Sequence, residues 1–198
     1  FSLSKFETDG FSATSSGTEA DGYEATRANL FIKYELTEAA RVGATLLYID
    51  SAGEYDEFGG GDGSAPYDET NENQTRGVRV FGEFDIGAVT HELSASYFDI
   101  ERESSSNGFS SDFLGERKII GYRARYEASE TTVWTFGLDH ASEDSLAYGT
   151  AVSSTMASAF GEVAFAASDR LDLTGSLRYD DHSVFGSKTT GRLAAVYR

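Results

Sequence analysis

The chain has 198 residues, a formal net charge of -17 and no cysteine, which excludes several classes of protein. Its 33 acidic residues against 16 basic ones leave too few cations to neutralise a row of phosphates, so we predict no nucleic-acid partner. Without cysteine, neither a disulfide framework nor a thiolate metal site is available. No apolar stretch approaches the roughly 18 residues of a transmembrane helix.

Alternation of apolar and polar residues predicts strands along most of the chain. In the first clear example, Leu30, Ile32 and Tyr34 alternate with Phe31 and Lys33. This period of two is typical of a β-strand with one apolar face. It recurs around residues 42–48, 78–84, 120–126, 132–138, 159–165 and 171–179, and fits less cleanly at 91–99. We therefore predict about ten strands, each long enough for the ~9–11 residues of a tilted membrane-spanning strand.

The predicted connections differ in length between the two ends of the strands. Short turns are predicted near residues 37–39, 86–88, 129–131 and 168–170. Long polar loops are predicted at 9–21, 51–75, 102–115, 141–152 and 181–188. Short periplasmic turns and long extracellular loops are typical of an outer-membrane β-barrel.

The predicted fold is an all-β, antiparallel, up-and-down transmembrane β-barrel segment. Tyrosines and Trp134 lie near the ends of the apolar faces, as aromatic girdles at the membrane interfaces require. Arg79, Arg123 and Arg125 are expected to line the lumen, because an arginine facing lipid at mid-depth costs ~2–4 kcal/mol. A mean hydropathy of -0.36 is compatible with such strands, since only every second residue faces lipid.

Several segments, in order along nearly the whole chain, resemble TonB-dependent outer-membrane receptors, particularly the cobalamin and siderophore transporters. They are DGFSA at 9–13, EADGY at 19–23, GEYDEF at 53–58, HELSASY at 91–97 and RYDDHSVFG at 178–186. The resemblance implies a 22-stranded barrel in the bacterial outer membrane, plugged by an N-terminal domain and energised through TonB. Residues 1–198 would be an interior piece of that barrel, without the plug and the C-terminal strands.

The function implied by the resemblance is energy-coupled uptake of a scarce nutrient such as cobalamin or a ferric siderophore. The partners would be outer-membrane lipid, a small-molecule ligand, and TonB through the plug. No bond would be made or broken, so we predict no enzymatic activity.

Calcium in the extracellular loops is the cofactor that the resemblance implies, because loop acids bind it in the cobalamin transporters. The matching positions are Glu19, Asp21 and Asp56, with Asp9 as a looser match. Gln74 stands where the last acid of the family pattern is expected, and Asp68 or Glu72 lies close enough to substitute for it. Calcium takes six to eight oxygen ligands, which carboxylates from two loops could largely supply.

Three alternatives remain open from the residues alone. A small complete barrel, acting as a passive porin or an adhesin, requires the first and last strands to pair. A soluble secreted β-protein requires the apolar faces to pack against one another. Asp180-Asp181-His182 has the Asp-x-His spacing of omptin proteases, but no upstream Asp-x-Asp partner is convincing and a polar turn explains it equally well.

Overall fold

The computed structural model describes residues 1–12, 20–56 and 69–198, and folds them into one ten-stranded antiparallel sheet. The strands are β1 (Ser2–Thr8), β2 (Tyr23–Thr37), β3 (Ala40–Glu54), β4 (Thr70–Ile86), β5 (Val89–Ser106), β6 (Phe109–Ser129), β7 (Thr132–Ala147), β8 (Thr150–Ser168), β9 (Leu171–His182) and β10 (Gly186–Tyr197). Each strand pairs with the next one in the sequence, so the predicted up-and-down topology is confirmed. The described residues contain no helix that is long and apolar enough to cross a membrane.

The sheet has no second layer packed on it. Contacts between the described strands join sequence neighbours only, and β1 does not pair with β10. Ala25 and Ala141 are the only apolar side chains buried among the described residues. A soluble sandwich is held together by a core between two apolar faces, and a small closed barrel by pairing of its end strands. Within the described residues the chain forms neither arrangement.

The strand register puts the alternating apolar side chains of β2 to β9 mainly on one face, called here the outward face. For example, Leu30 pairs with Leu46, Leu46 with Val78, and Val78 with Tyr97. These side chains are exposed, Ile120 at 67% and Leu138 at 57%. The opposite inner face carries charged side chains that are less exposed, such as Arg41 at 25% and Glu83 at 20%. The sheet thus curves with its polar face inside, the reverse of a water-soluble protein and the arrangement of a lipid-embedded barrel.

Two bands of aromatic side chains bound the apolar part of the outward face. Tyr48, Tyr97 and Tyr179 are the last members before polar residues begin towards the extracellular end. Phe84, Tyr126, Trp134, Phe165 and Tyr197 lie near the short-turn end. The outward apolar surface between the two bands is called here the belt. The two bands correspond to the aromatic girdles that flank the apolar band of outer-membrane barrels. His91 belongs to the same face and stacks on Phe84 with ring centroids 5.0 Å apart. The strand at 91–99 therefore also has an outward face that continues the belt.

The short turns are confirmed, and three of the predicted long loops are corrected. Two-residue turns join strands at 38–39, 87–88, 130–131 and 169–170. At the opposite end, most of 102–115 and 141–152 is strand, closed by two-residue turns at 107–108 and 148–149. The segment 181–188 contains a turn of three residues, 183–185. Only the connections at 9–22 and 55–69 are long.

The reason for the error is that backbone pairing does not depend on side-chain polarity. Ser106 pairs with Phe109 around Asn107 and Gly108, whose φ angles of 51° and 77° fit a hairpin turn with two positive φ angles. Polar side chains mark where a strand leaves the lipid, but its ladder of hydrogen bonds continues. The hairpins β5–β6 and β7–β8 therefore extend beyond the belt as paired strands.

Candidate functional site

The first part of the candidate site is the rim where the two long connections leave the sheet. The ladder continues past the strand ends, since the Glu54 amide donates to the Gly22 carbonyl at 2.9 Å and the Tyr55 amide to the Glu69 carbonyl at 3.0 Å. The Gly22 amide donates to Glu54 Oε2 at 3.0 Å. This pairing brings the predicted positions Asp21 and Asp56 to the same end of adjacent strands.

The predicted ligand residues have different surroundings at this rim. Asp9 is exposed, whereas Asp21 and Asp56 are half-buried. The Ser12 hydroxyl lies 3.5 Å from Asp56 Oδ2, and Asp56 Oδ1 is buried without a hydrogen-bond partner in the described part of the chain. Glu19 and Asp68 lie outside the described residues, and Glu72 is exposed.

Gly10 allows the two arms of the first long connection to approach closely. Its φ is +67°, and an added Cβ would lie 1.8 Å from the carbonyl oxygen of Asp21. A side chain at this position would be strained and would displace the Asp21 backbone. Glycine is therefore required for this contact between residues on either side of the connection.

Glu69 is the rim residue that sequence reasoning missed. It is 2% exposed, and its Oε1 accepts the Asn107 amide at 2.9 Å in the turn between β5 and β6. Its Oε2 is buried with no hydrogen-bond partner among the described residues. The Tyr55 hydroxyl donates to the Ser105 carbonyl at 3.2 Å, which adds a second link between the same two segments. Burial, together with the Glu69 charge, raises the pKa of Tyr55.

The rim does not assemble a recognisable metal cage from the described residues alone. No group of three or more histidine, cysteine, aspartate or glutamate side chains in 1–12, 20–56 and 69–198 is arranged to hold a metal ion. The observation that fits a cation is the pair of buried carboxylate oxygens on Asp56 and Glu69, because hard cations prefer such ligands.

The second part of the candidate site is the inner face of the sheet. The register puts Arg79, Arg123 and Arg125 there, as predicted. Arg79 pairs with Glu92 at 2.8 Å and Arg125 pairs with Glu127. With acidic residues from the neighbouring strands, Arg123 and Arg125 line a groove of about 750 Å³ at the short-turn end.

Further along the inner face, ion pairs and aromatic rings alternate. Arg178 contacts Asp180 at 2.8 Å and Asp139 at 3.6 Å, and its guanidinium lies 5.8 Å from the centre of the Phe160 ring. Phe160 covers Gly137, where an added Cβ would lie 2.1 Å from the ring. The inner wall thus carries charged side chains that largely pair with one another, which suits contact with a polar ligand or protein segment.

The histidines do not form an acid–base pair with the aspartates in the described residues. His182 Nδ1 accepts the amides of Val184 and Phe185 at 3.1 and 3.4 Å, so it caps the turn at 183–185. Asp180 is engaged by the Ser158 hydroxyl at 2.6 Å and by Arg178. The Asp-x-His spacing is therefore accounted for by turn structure.

Comparisons with known proteins agree with this geometry. A family model described as TonB dependent receptor-like, beta-barrel, matches residues 2–198. A search of curated proteins finds no match.

Three solved structures share the fold. The siderophore receptor PirA from Acinetobacter baumannii is 16% identical with a TM-score of 0.74, covering 90% of this chain and 32% of its own. The FrpB iron transporter from Neisseria meningitidis is 12% identical with a TM-score of 0.67, covering 99% and 38%. The ferric yersiniabactin uptake receptor FyuA from Yersinia pestis is 13% identical with a TM-score of 0.64, covering 98% and 37%.

At these identities the likeness shows the fold alone, and the chain spans about a third of the length of PirA and less than two fifths of the other two. The family match covers nearly the whole sequence and agrees with the outward apolar belt and polar inner face. The chain therefore belongs to the TonB-dependent receptor-like β-barrel family, in the bacterial outer membrane.

Proposed function

We propose that the protein containing this chain is a receptor that captures a scarce nutrient at the cell surface and takes it up with energy from the inner membrane. The observation that carries the proposal is the polar, ion-paired inner wall, in a chain whose family is that of TonB-dependent receptors. Such a wall can hold a polar ligand or a plug domain through many weak contacts, which a conformational change then breaks. The mechanism is binding followed by rearrangement of a plug that TonB engages.

A ferric siderophore is the ligand class with the most support, and cobalamin is the second. PirA is a siderophore receptor and FyuA takes up ferric yersiniabactin, and both share this fold. The acids at the rim would repel an anionic complex, whereas arginines of the inner face such as Arg79 and Arg178 are paired with carboxylates, which balances their charge. A ligand that is neutral at its surface fits both regions.

The uptake test uses cells that produce the whole native protein, with a deletion strain as control. Radiolabelled ferric hydroxamate, ferric catecholate and cobalamin serve as the three probes. We expect one probe to accumulate against its gradient, and its accumulation to stop when the proton gradient is collapsed or TonB is removed. Entry that persists without energy, and follows the outside concentration, would instead identify a passive porin.

We also propose that a calcium ion orders the two long connections at the rim. Its ligands would come from Glu19, Asp21 and Asp56, with Asp9 at the edge. Glu69 joins this set because one of its buried carboxylate oxygens has no hydrogen-bond partner among the described residues. Calcium would supply the positive charge that lets these carboxylates lie close together.

The calcium proposal predicts a loss of protection when two ligands are removed. In the native protein, calcium is expected to slow proteolysis of the connections at 9–22 and 55–69. The double variant Asp21→Ala/Asp56→Ala should lose this protection, whereas Asp112→Ala/Asp144→Ala, which removes two acids elsewhere on the extracellular strands, should keep it. Equal protection of wild type and Asp21→Ala/Asp56→Ala by calcium would show that the site is wrong.

A further inference from the structure

Tyr148 stands at the tip of the β7–β8 hairpin in a backbone conformation that suits a tyrosine poorly. It is the first residue of a two-residue turn, with a φ of 50° that is followed by 75° at Gly149. The β5–β6 hairpin closes with the same turn, with φ angles of 51° and 77°, and uses Asn107 and Gly108. Asparagine is the usual residue at the first position, because a positive φ is unfavourable for bulky side chains. An aromatic ring is therefore kept at position 148 although the turn favours asparagine.

No contact within the described part of the chain accounts for this ring. Tyr148 is 88% exposed. Within residues 1–12, 20–56 and 69–198 it takes part in no hydrogen bond, ring stacking or cation–π contact. Unfavourable backbone conformations of this kind are concentrated at positions that contact ligands. Both faces of the Tyr148 ring are therefore open to a partner.

Two carboxylates lie beside the tip. Phe113 on β6 pairs with Ala147, so Asp112 is the next residue towards the tip on the strand beside Tyr148. Asp112 in turn pairs with Glu103 on β5. Like charges that lie directly opposite each other destabilise a sheet. Neither carboxylate forms an ion pair or a hydrogen bond with another residue that the structure describes.

The cations of the same strands do not neutralise these two carboxylates. Arg76 and Lys118, on the outward face, are paired with other acids nearer to the belt. Arg102 precedes Glu103 in the sequence, so the alternation of the strand puts it on the inner face. The tip therefore presents a ring and negative charge that a cation from outside the described residues would complement.

The rest of the chain shows how such a ring and carboxylate are used. In each cation–π contact of the described residues, the cation also forms a salt bridge with a carboxylate. The three sets are Arg79 with Phe81 and Glu92, Arg178 with Phe160 and Asp180, and Lys118 with Tyr97 and Glu116. Their cations lie 4.8, 5.8 and 5.9 Å from the ring centres, in that order. Tyr148 and Asp112 supply the ring and the carboxylate of a fourth set, and a partner would supply its cation.

Phe109 offers the partner a second contact and indicates its length. Its side chain is 81% exposed at the tip of the β5–β6 hairpin. It lies three residues beyond Asp112 along β6, which is roughly 10 Å. An extended peptide covers that distance with about three residues. A second copy of this chain is disfavoured as the partner, because its net charge of -17 would be repelled.

We propose that the tips of the β5–β6 and β7–β8 hairpins bind a peptide segment that carries an arginine or a lysine close to an apolar residue. The cation of the peptide lies on the Tyr148 ring and pairs with Asp112 and Glu103. The apolar residue contacts Phe109. The site lies at the ends of the hairpins and does not depend on which nutrient the receptor takes up.

The test measures binding of fluorescein-labelled peptides to the whole native protein in phosphatidylcholine nanodiscs by fluorescence anisotropy. The probe is a short peptide of alternating arginine and leucine, and its control has citrulline, a neutral analogue, in place of arginine. We expect the arginine peptide to bind about tenfold more tightly or better than the control, because the charge-assisted contacts need the cation. Tyr148→Leu should weaken binding of the arginine peptide by about twofold to fivefold, whereas Tyr148→Phe keeps a ring and should bind like the wild type.

A second variant separates binding from folding of the hairpin. Tyr148→Asn gives the β7–β8 turn the residue that Asn107 supplies in the β5–β6 turn. We expect it to slow hydrogen exchange in the β7–β8 hairpin and at the same time to weaken peptide binding, two changes that a purely structural role of Tyr148 would not combine. Phe185→Leu is the matched control, because it removes a ring that is 86% exposed at another turn and should leave binding unchanged.

Three results would overturn the proposal. The first is equal affinity of the wild type and Tyr148→Leu for the arginine peptide, and the second is equal binding of the arginine and citrulline peptides. The third is displacement of the arginine peptide by spermidine at an equal concentration, because a small organic cation would then be a sufficient ligand.

Discussion

Replacing Leu138 with arginine is expected to lower the free energy of unfolding of the protein in a bilayer by about 2–4 kcal/mol. Leu138 lies on the outward face of β7 within the belt, between Phe136 and His140, and is 57% exposed. In water such an exposed leucine would be replaced at little cost. In lipid, the guanidinium loses its hydration and has no partner on this face.

The control for Leu138→Arg is an arginine on the other face of the same strand. Thr135 lies on the inner face and pairs with Glu162 on β8, so Thr135→Arg is expected to change stability by less than about 1 kcal/mol. Denaturant unfolding of each variant in phospholipid vesicles, followed by tryptophan fluorescence, measures both values. If the two arginines were equally tolerated, the outward face would not be facing lipid and the membrane assignment of the two faces would be wrong.

Replacing Glu69 with alanine is expected to release the long connection at 55–69 from the turn between β5 and β6. The variant loses the acceptor for the Asn107 amide, a charge-assisted hydrogen bond inside a buried site. Losing such a contact costs about 1–3 kcal/mol of local stability. The exchange rate of the Asn107 amide hydrogen should therefore rise by about tenfold to a hundredfold.

Two further variants separate the loss of the hydrogen bond between Glu69 and Asn107 from other effects of replacing Glu69. Glu69→Gln keeps an oxygen acceptor and should retain most of the protection of Asn107. Glu72→Ala removes an exposed acid of the adjacent strand and should leave Asn107 unchanged. Hydrogen exchange in Glu69→Ala that matches the wild type at Asn107 would show that Glu69 does not hold these segments together.

The rim shows why the sequence identified only part of the candidate site. Asp21 lies just before β2 and Asp56 just after β3, in a pattern that resembles the receptors, so both could be named from the residues. Glu69 stands beside Asp68 and close to Glu72, and no local pattern distinguishes it from them. It is buried and accepts the amide of Asn107, 38 positions away, and this contact depends on how β3 to β6 are paired.

The extent of the strands is a second feature that side-chain patterns did not reveal. Apolar alternation stops at Tyr97 on β5 and resumes at Ile120 on β6, and the sequence predicts a loop over 102–115 between them. The register shows that they pair all the way to Ser106 and Phe109. Side-chain alternation shows which face of a strand contacts water and which contacts an apolar environment. The hydrogen bonds of the ladder are made by the backbone and do not depend on that alternation.

The all-β class, the apolar and polar faces, the short turns and the inward position of Arg79, Arg123 and Arg125 could all be predicted from the residues alone. Each of these depends on residues close together in the sequence, either the period of two along a strand or the few residues of a turn. The folded sheet was needed to show how far the strands pair, which acid is buried at the rim, and which charged side chains pair on the inner face. Those features join residues far apart in the chain, and only the strand register specifies which of them meet.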